Sequence, residues 1–266
     1  MEQYLYPILF FLGLGALIGI LLTVASKLLF VKTDETVEKI SEALPGANCG
    51  GCGYSGCEGY AEAVAKGLAP TNLCKPGGKD VNVKISAVMG VEAVETEREV
   101  AFVRCNGNCE ATEDKFAYIG SRSCSAVEKF YSGKGKCSAG CHGFGDCAAV
   151  CDNNCISIVN GVAVVDPRGC MGCGKCVKAC PNQLIILKKE SKRYAVRCSS
   201  TDNGKTTRSV CKNGCIACGL CVKKCPNNAI VLNNNHAEIS PSLCTDCGIC
   251  AEICPVHCIS AVGLCK

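Results

Sequence analysis

Three stretches of this chain repeat one arrangement of thiols. Cys170, Cys173, Cys176 and Cys180 follow one another at intervals of three, three and four, with Pro181 directly after. Cys215, Cys218, Cys221, Cys225 and Pro226 repeat the pattern, as do Cys244, Cys247, Cys250, Cys254 and Pro255. Three thiolates this close in sequence wrap one cuboidal iron–sulfur cluster from a single short loop, while the fourth reaches the other cluster of a pair. Such clusters need soft sulfur donors at several corners. Zinc is the competing reading, but tetrahedral zinc sites usually combine two separated Cys-x2-Cys pairs.

A looser copy lies upstream: Cys137, Cys141, Cys147 and Cys151, with Asp152 in place of the proline. Cys151 to Cys180 and Cys225 to Cys254 span the same 29 positions, whereas Cys180 to Cys225 spans 45. The copies therefore form two tandem pairs, each expected to be one compact domain. Crosswise ligation assigns Cys137, Cys141, Cys147 and Cys180 to one cluster and Cys151, Cys170, Cys173 and Cys176 to the next. The second pair gives Cys215, Cys218, Cys221 and Cys254, then Cys225, Cys244, Cys247 and Cys250. Cys49, Cys52, Cys57 and Cys74 form a fifth set in a glycine-rich wrapper, where glycine lets the backbone approach a cluster and aim N–H groups at sulfur. By spacing alone this last set also suits zinc. Five [4Fe–4S] clusters are expected from the residues, and no catalytic residue.

Eight cysteines remain: 105, 109, 124, 155, 198, 211, 258 and 265. Cys155 and Cys258 align with Leu184 and Ala229 of the other copies, so they read as small core residues. Cys265 lies near the terminus and reads as idle.

These loops need elements to hold them. Thr33, Asp34 and Glu35 resemble a helix start, and Val37, Ile40 and Leu44 recur at helical spacing as far as Pro45. Tyr60, Ala61 and Val64 suggest a second short helix. Ile156–Val159 and Val162–Val165 flank Asn160-Gly161, a strong hairpin signal, and 230–232 and 237–239 repeat it around 233–236. Residues 79–135 are less readable.

Residues 3–26 carry no charge and are long enough to cross a bilayer as a helix. A cleaved signal peptide normally opens with Lys or Arg, but only Glu2 precedes this run. Lys27 and Lys32 follow it, which places the cysteine-rich part on the cytoplasmic side of the cell membrane. Gly15 and Gly19 are spaced for close helix packing in lipid. The glycines at 13, 15 and 19 superficially resemble a dinucleotide loop but lack a preceding strand.

Composition narrows the function. The chain has 28 cysteines in 266 residues, far too long for a small disulfide scaffold. It has no tryptophan and 5% aromatic residues, which disfavours stacking on single-stranded nucleic acid. The formal charge of +4 counts every thiol as neutral. Each cluster with four thiolates carries about 2−, so five bring the loaded chain to about −6 and remove the electrostatic case for nucleic acid.

The expected fold class is α+β: a single N-terminal transmembrane helix, a small helical 4Fe–4S domain, then two tandem 2[4Fe–4S] bacterial-ferredoxin-like domains. Expected boundaries are 1–31 for the anchor, 32–90 for the helical domain and 91–135 for a linker region. The first ferredoxin-like domain takes 136–197, a junction 198–213 and the second domain 214–266.

An N-terminal anchor, the Cys49/Cys52/Cys57/Cys74 module and downstream ferredoxin repeats, in that order, resemble the B-subunit family of the Rnf complex, a membrane-bound, ion-translocating ferredoxin:NAD oxidoreductase. The resemblance covers nearly the whole chain and is to the long form with two ferredoxin domains. Asp152 and the thiol at Cys109 depart from the pattern. The resemblance implies an electron-transfer subunit that accepts electrons from reduced ferredoxin and passes them to membrane and flavin-bearing subunits of the same complex. The residues agree, since no nucleotide or flavin motif is present. The resemblance also implies a sixth cluster on Cys105, Cys124, Cys198 and Cys211, against four unligated thiols. Two other readings stay open: a polyferredoxin of a hydrogenase or regulator-reducing complex, and a membrane-tethered cluster store. A basic strip at Lys188, Lys189, Lys192 and Arg193, or at Lys223 and Lys224, is a candidate docking face for an acidic ferredoxin, against an ordinary solvated face.

Overall fold

The computed structural model describes residues 2–28, 34–94 and 97–261. Helix α1 takes Glu2–Leu28, and its described side chains, 10–25, are nearly all exposed. Among the described residues no helix is long and apolar enough to cross a membrane. The side chains needed to complete the expected span at both ends, and Lys32, lie outside the described residues.

A helical module follows. Helix α2 (Glu35–Ala43) starts where expected, because the Asp34 carboxylate accepts the Thr36 N–H at 3.1 Å and caps the first turn. Helices α3 (Cys57–Ala65) and α4 (Gly78–Met89) pack beside it. Val37, Ile40, Tyr60, Val64 and Ile85 form the shared core, with Ile40 and Ile85 wholly buried. Gly90 ends α4 in the left-handed conformation, the usual role of glycine there.

The first ferredoxin-like unit begins earlier than the thiol spacing suggests. Strand β1 (Glu99–Val103) lies in the stretch expected as linker, and helix α5 (Cys124–Tyr131) follows it. Next come α6 (Asp146–Ala149), the hairpin β2 (Ile156–Val159) and β3 (Val162–Val165), α7 (Lys175–Ala179) and β4 (Ile185–Lys189). β1 pairs antiparallel with β4, from Glu99 opposite Lys189 to Val103 opposite Ile185. The predicted hairpin forms, with Asn160 and Gly161 both at positive φ, as a two-residue primed turn requires. Val100, Val103, Ile156, Val162, Leu184 and Ile185 close one core around the thiols of the first pair.

The second unit repeats this plan. Strand β5 (Tyr194–Val196) belongs to it by pairing, although the sequence boundary leaves it with the first. Helices α8 (Gly204–Val210) and α9 (Leu220–Lys224) lead to the hairpin β6 (Ile230–Asn233) and β7 (His236–Ile239). Asn234 and Asn235, both at positive φ, make its turn. Helix α10 (Ile249–Glu252) and strand β8 (Ile259–Ala261) complete the unit, with β8 antiparallel to β5. Each unit thus takes a strand from upstream of its first thiol run and pairs it with its last strand.

Candidate metal centres

Among the described residues, no group of three or more His, Cys, Asp or Glu side chains closes on a point that would hold one metal ion. Three of the thiol groups instead line pockets.

In the helical module, a glycine-rich loop carries Cys49 and Cys52 to the start of α3, where Cys57 is the first residue. The Cys57 N–H donates to Asn48 Oδ1 at 2.8 Å and folds the loop back. The buried Tyr60 hydroxyl donates to the Pro70 carbonyl at 2.7 Å and accepts the Leu73 N–H at 3.1 Å, which ties the segment before Cys74 to α3. Burial pushes the Cys74 thiol up, and the nearby sulfurs of Cys57, Cys49 and Cys52 add to it. The expected set is together.

Cys151, Cys170, Cys173 and Cys176 line one pocket. Backbone donors serve its sulfur: the Ala101 N–H reaches Cys170 Sγ at 3.3 Å and the Gly172 N–H at 3.5 Å. Gly172 has positive φ, and a Cβ there would lie 2.5 Å from the Glu99 carbonyl oxygen, so only glycine fits. Arg98 holds the approach to this loop by donating to the carbonyls of Pro167, Arg168 and Cys170 at 2.9–3.0 Å. Asp152 takes the proline's place and pairs with Lys175 at 2.6 Å.

Cys215, Cys218, Cys221 and Cys254 line another pocket. For the remaining group of the second unit, burial pushes the Cys250 thiol up to about 11, with Cys244, Cys221 and Cys247 adding to it. Cys225 packs on the same core. The Asp246 N–H reaches Cys244 Sγ at 3.4 Å and the Ala229 N–H reaches Cys225 Sγ at 3.3 Å.

The first run differs from expectation. Cys141, Cys147 and Cys180 line a pocket together with Cys124, whereas Cys137 is not among its walls. Burial pushes the Cys137 thiol up to about 12, and the sulfurs reinforcing this are Cys105, Cys211 and Cys198. Of the set Cys105, Cys124, Cys198 and Cys211, three members therefore meet and Cys124 stands elsewhere. The sequence carried a signal for this. Cys141, Phe144, Cys147 and Cys151 keep the regular intervals, so Phe144 occupies the place of the second cysteine.

Of the remaining thiols, Cys155 lies 3.4 Å from Cys151 Sγ and Cys258 lies 3.6 Å from Cys254 Sγ. Both pack in the cores, as their alignment with Leu184 and Ala229 suggests, and both also touch the sulfur of an expected ligand. Cys109 is exposed, and Cys265 lies outside the described residues. Among the described residues the cysteines form no disulfide. Soft donors in fours and backbone N–H groups aimed at sulfur fit iron–sulfur clusters.

The candidate docking strip is largely committed to the fold. The Lys188 ammonium donates to the Tyr194 carbonyl and sits 5.9 Å from the Phe102 ring centre. Lys192 donates to the Cys244 carbonyl at 2.7 Å, and Lys189 pairs with Glu97 at 3.2 Å. Lys223 and Lys224 on α9 are exposed.

Comparison with known proteins agrees with the chemistry. A family model for an Fe-S cluster matches residues 44–76, and two models of a 4Fe-4S dicluster domain match 169–230 and 214–258. The match over 169–230 spans runs from different units, and it is core packing that pairs the runs. The chain is 38% identical to the B subunit of the ion-translocating oxidoreductase complex of Methanosarcina acetivorans, over 75% of this chain and 76% of the relative. It is 39% identical to the B subunit of the Na(+)-translocating ferredoxin:NAD(+) oxidoreductase complex of Acetobacterium woodii, over 92% of this chain and 74% of the relative. It is 38% identical to the B subunit of the proton-translocating ferredoxin:NAD(+) oxidoreductase complex of Clostridium ljungdahlii, over 87% of this chain and 82% of the relative. Thiol modules, their order and these relatives agree: the chain belongs to the B-subunit family of ion-translocating oxidoreductase (Rnf) complexes.

Proposed function

We propose that this chain is the membrane-anchored electron relay of such a complex, accepting electrons from reduced ferredoxin and passing them to membrane and flavin-bearing subunits. The observation that carries this reading is the unbroken succession of thiol groups. A Cβ on Gly51 would lie 2.8 Å from the Cys173 carbonyl oxygen, so the loop of the helical module abuts the first ferredoxin unit. Lys75 and Glu99 pair across the same seam at 3.0 Å. Cys176 neighbours Cys147, and the Cys141 N–H donates to Cys105 Sγ at 3.4 Å. Cys215 neighbours Cys198, and Cys221 neighbours Cys250. Bound [4Fe–4S] clusters supply one-electron chemistry; the chain spaces them and shields them.

Cys49, Cys52, Cys57 and Cys74 hold one cluster. Cys151, Cys170, Cys173 and Cys176 hold a second, Cys215, Cys218, Cys221 and Cys254 a third, and Cys225, Cys244, Cys247 and Cys250 a fourth. Cys105, Cys124, Cys137, Cys141, Cys147, Cys180, Cys198 and Cys211 hold the remainder. Residues 3–26 anchor the chain in the membrane, with the thiol modules on the cytoplasmic side. The Thr23 hydroxyl donates to the Gly19 carbonyl at 2.7 Å, which satisfies a polar group within the helix as lipid requires.

Ferredoxin docks near α9, where Lys223 and Lys224 are exposed beside the exposed Cys218. Reduced ferredoxin, mixed anaerobically with the reconstituted full chain in detergent, is expected to bleach the visible cluster absorbance. Lys223→Glu with Lys224→Glu slows this step and weakens its salt dependence. A fully iron-loaded chain that reduced ferredoxin leaves unbleached would overturn the reading.

A further inference from the structure

Cys124 and Cys137 lie in different thiol groups from those their positions in the chain suggest. We propose that Cys124 completes the cluster site of Cys141, Cys147 and Cys180, and that Cys137 joins Cys105, Cys198 and Cys211 in a separate four-thiolate [4Fe–4S] site at the seam between the two ferredoxin units. The assignment rests on reading the chain as an iron–sulfur electron carrier.

The first half follows from a missing corner. Phe144 replaces the second cysteine of the run, and its ring turns away from the pocket. It packs against Tyr118 at 5.5 Å between ring centres, with the Lys134 ammonium 5.6 Å from its own centre. The pocket walls include Cys124 and not Phe144. Cys124 is the first residue of α5 and is 8% exposed. It is held there from the run itself. The Asp146 carboxylate, next to Cys147, accepts the Cys124 N–H at 2.9 Å, the Ser125 N–H at 3.0 Å and the Ser123 hydroxyl at 2.9 Å. A second tie joins Glu128 on α5 to His142, beside Cys141, at 2.9 Å. The cysteine loop thus carries the groups that import its fourth thiol.

The second half follows from how the seam is stitched. The Ser199 hydroxyl donates to the Arg104 carbonyl, and Arg197 donates to the Cys105 carbonyl, which sets Cys105 beside Cys198. A β-bridge between Thr112 and Cys211, with the Lys212 N–H on the Ala111 carbonyl at 2.8 Å, brings in Cys211. A Cβ on Gly107 would stand 3.4 Å from Cys211 Sγ and 3.7 Å from Cys105 Sγ, so this glycine faces both sulfurs. Cys137 arrives by a short ladder. The Lys115 N–H donates to the Lys134 carbonyl at 2.7 Å and the Lys136 N–H to the Glu113 carbonyl at 2.8 Å, around a bridge between Asp114 and Gly135. Cys105, Cys198 and Cys211 are each less than a tenth exposed. Both groups then hold four thiols, and the thiols left over are Cys109, Cys155, Cys258 and Cys265.

Iron counting on paired variants of the full chain, reconstituted anaerobically, separates this partition from the one chain order suggests. Six clusters correspond to about 24 irons per chain. Removing two ligands of one cluster costs about four irons, and removing one ligand from each of two clusters costs about eight. Cys105→Ala with Cys137→Ala is expected to lose about four, and Cys105→Ala with Cys124→Ala about eight. The reverse result, or full iron in either double variant, would overturn the assignment. Should the alanine variants unfold, the serine versions give the same answer by electron paramagnetic resonance. Cys105→Ser and Cys137→Ser should alter one and the same cluster signal, and Cys124→Ser a different one. A wild-type chain that takes up no iron would instead refute the carrier reading itself.

Discussion

Cys258 Sγ stands 3.6 Å from Cys254 Sγ, four residues further along, and Cys155 repeats the relationship with Cys151 at 3.4 Å. Cys258 also neighbours Cys215, so its S–H faces two members of one group and holds the thiols of Cys254 and Cys215 below the ordinary thiol range. The corresponding positions in the other runs are Leu184 and Ala229, which carry no such donor. Among the described residues, one group in each ferredoxin unit therefore has an added S–H donor and its partner group has none.

A donor to a cluster thiolate favours the more negative, reduced state and raises the potential. Cys258→Ala is expected to lower the potential of one cluster. A differential of about 1 kcal/mol corresponds to roughly 40 mV for one electron. An anaerobic redox titration followed by electron paramagnetic resonance reads this directly, and a potential unchanged within error would count against the thiol as a donor.

Asp146 provides a test of local architecture. Burial works against its charge, but the N–H groups of Ser125 and Cys124 and the Ser123 hydroxyl prevail and hold its carboxyl below the usual range. The stabilisation is complete above the ordinary carboxylate pKa of about 4 and is lost as pH falls through the lowered value. Asp146→Ala is expected to cost about 1–2 kcal/mol, as for other lost helix caps. Iron release from the Cys124 site should quicken in the variant, while the group around Cys225 and Cys250 is unaffected.

The thiol runs and both hairpins were legible because each is a local pattern with a local cause. Three cysteines in seven residues need only one loop, and Asn160-Gly161 makes its turn unaided. β1 and β5 were not legible. Glu99–Val103 finds its partner 82 or more residues later, and a five-residue stretch with four apolar residues does not specify that choice. Cys124 was hidden for the same reason. Its place depends on Asp146 and on Phe144 standing where the regular spacing puts a thiol, so neither chain order nor the family resemblance brought it to the pocket of Cys141, Cys147 and Cys180 that it lines.

Lys188 gives a pH dependence with a defined sign. Burial pulls its ammonium down to about 8, against the opposing pull of Asp246, Cys244 and Cys250. A lysine with a folded pKa below its unfolded value near 10.5 penalises the fold while charged. Its contribution is most favourable above the unfolded value and is lost as pH falls towards 8. The stability of the wild type relative to Lys188→Met is therefore expected to rise between pH 8 and 10.5, with the thiols shared by both chains cancelling. Denaturation midpoints of the two loaded proteins across that window measure it; parallel curves would mean that the lysine is solvated.

Gly51 tests the junction between the helical module and the first ferredoxin unit. A methyl group there meets the Cys173 carbonyl oxygen, carbonyl carbon and Cα at 2.8, 3.5 and 3.5 Å, all of them backbone atoms that cannot rotate aside. Gly51→Ala therefore forces the two loops apart, at a cost of about 1–3 kcal/mol to their contact. Neither residue's own thiol group is altered, so iron content should stay at the wild-type level. What changes is the gap between the group of Cys49 and the group of Cys173, and with it the exchange of electrons between them. Rapid-mix reduction should show the ferredoxin-unit clusters filling at the normal rate and the helical-module cluster lagging. Loss of iron along with the lag would point to a damaged loop, whereas a lag at full iron load identifies this backbone contact as the crossing point.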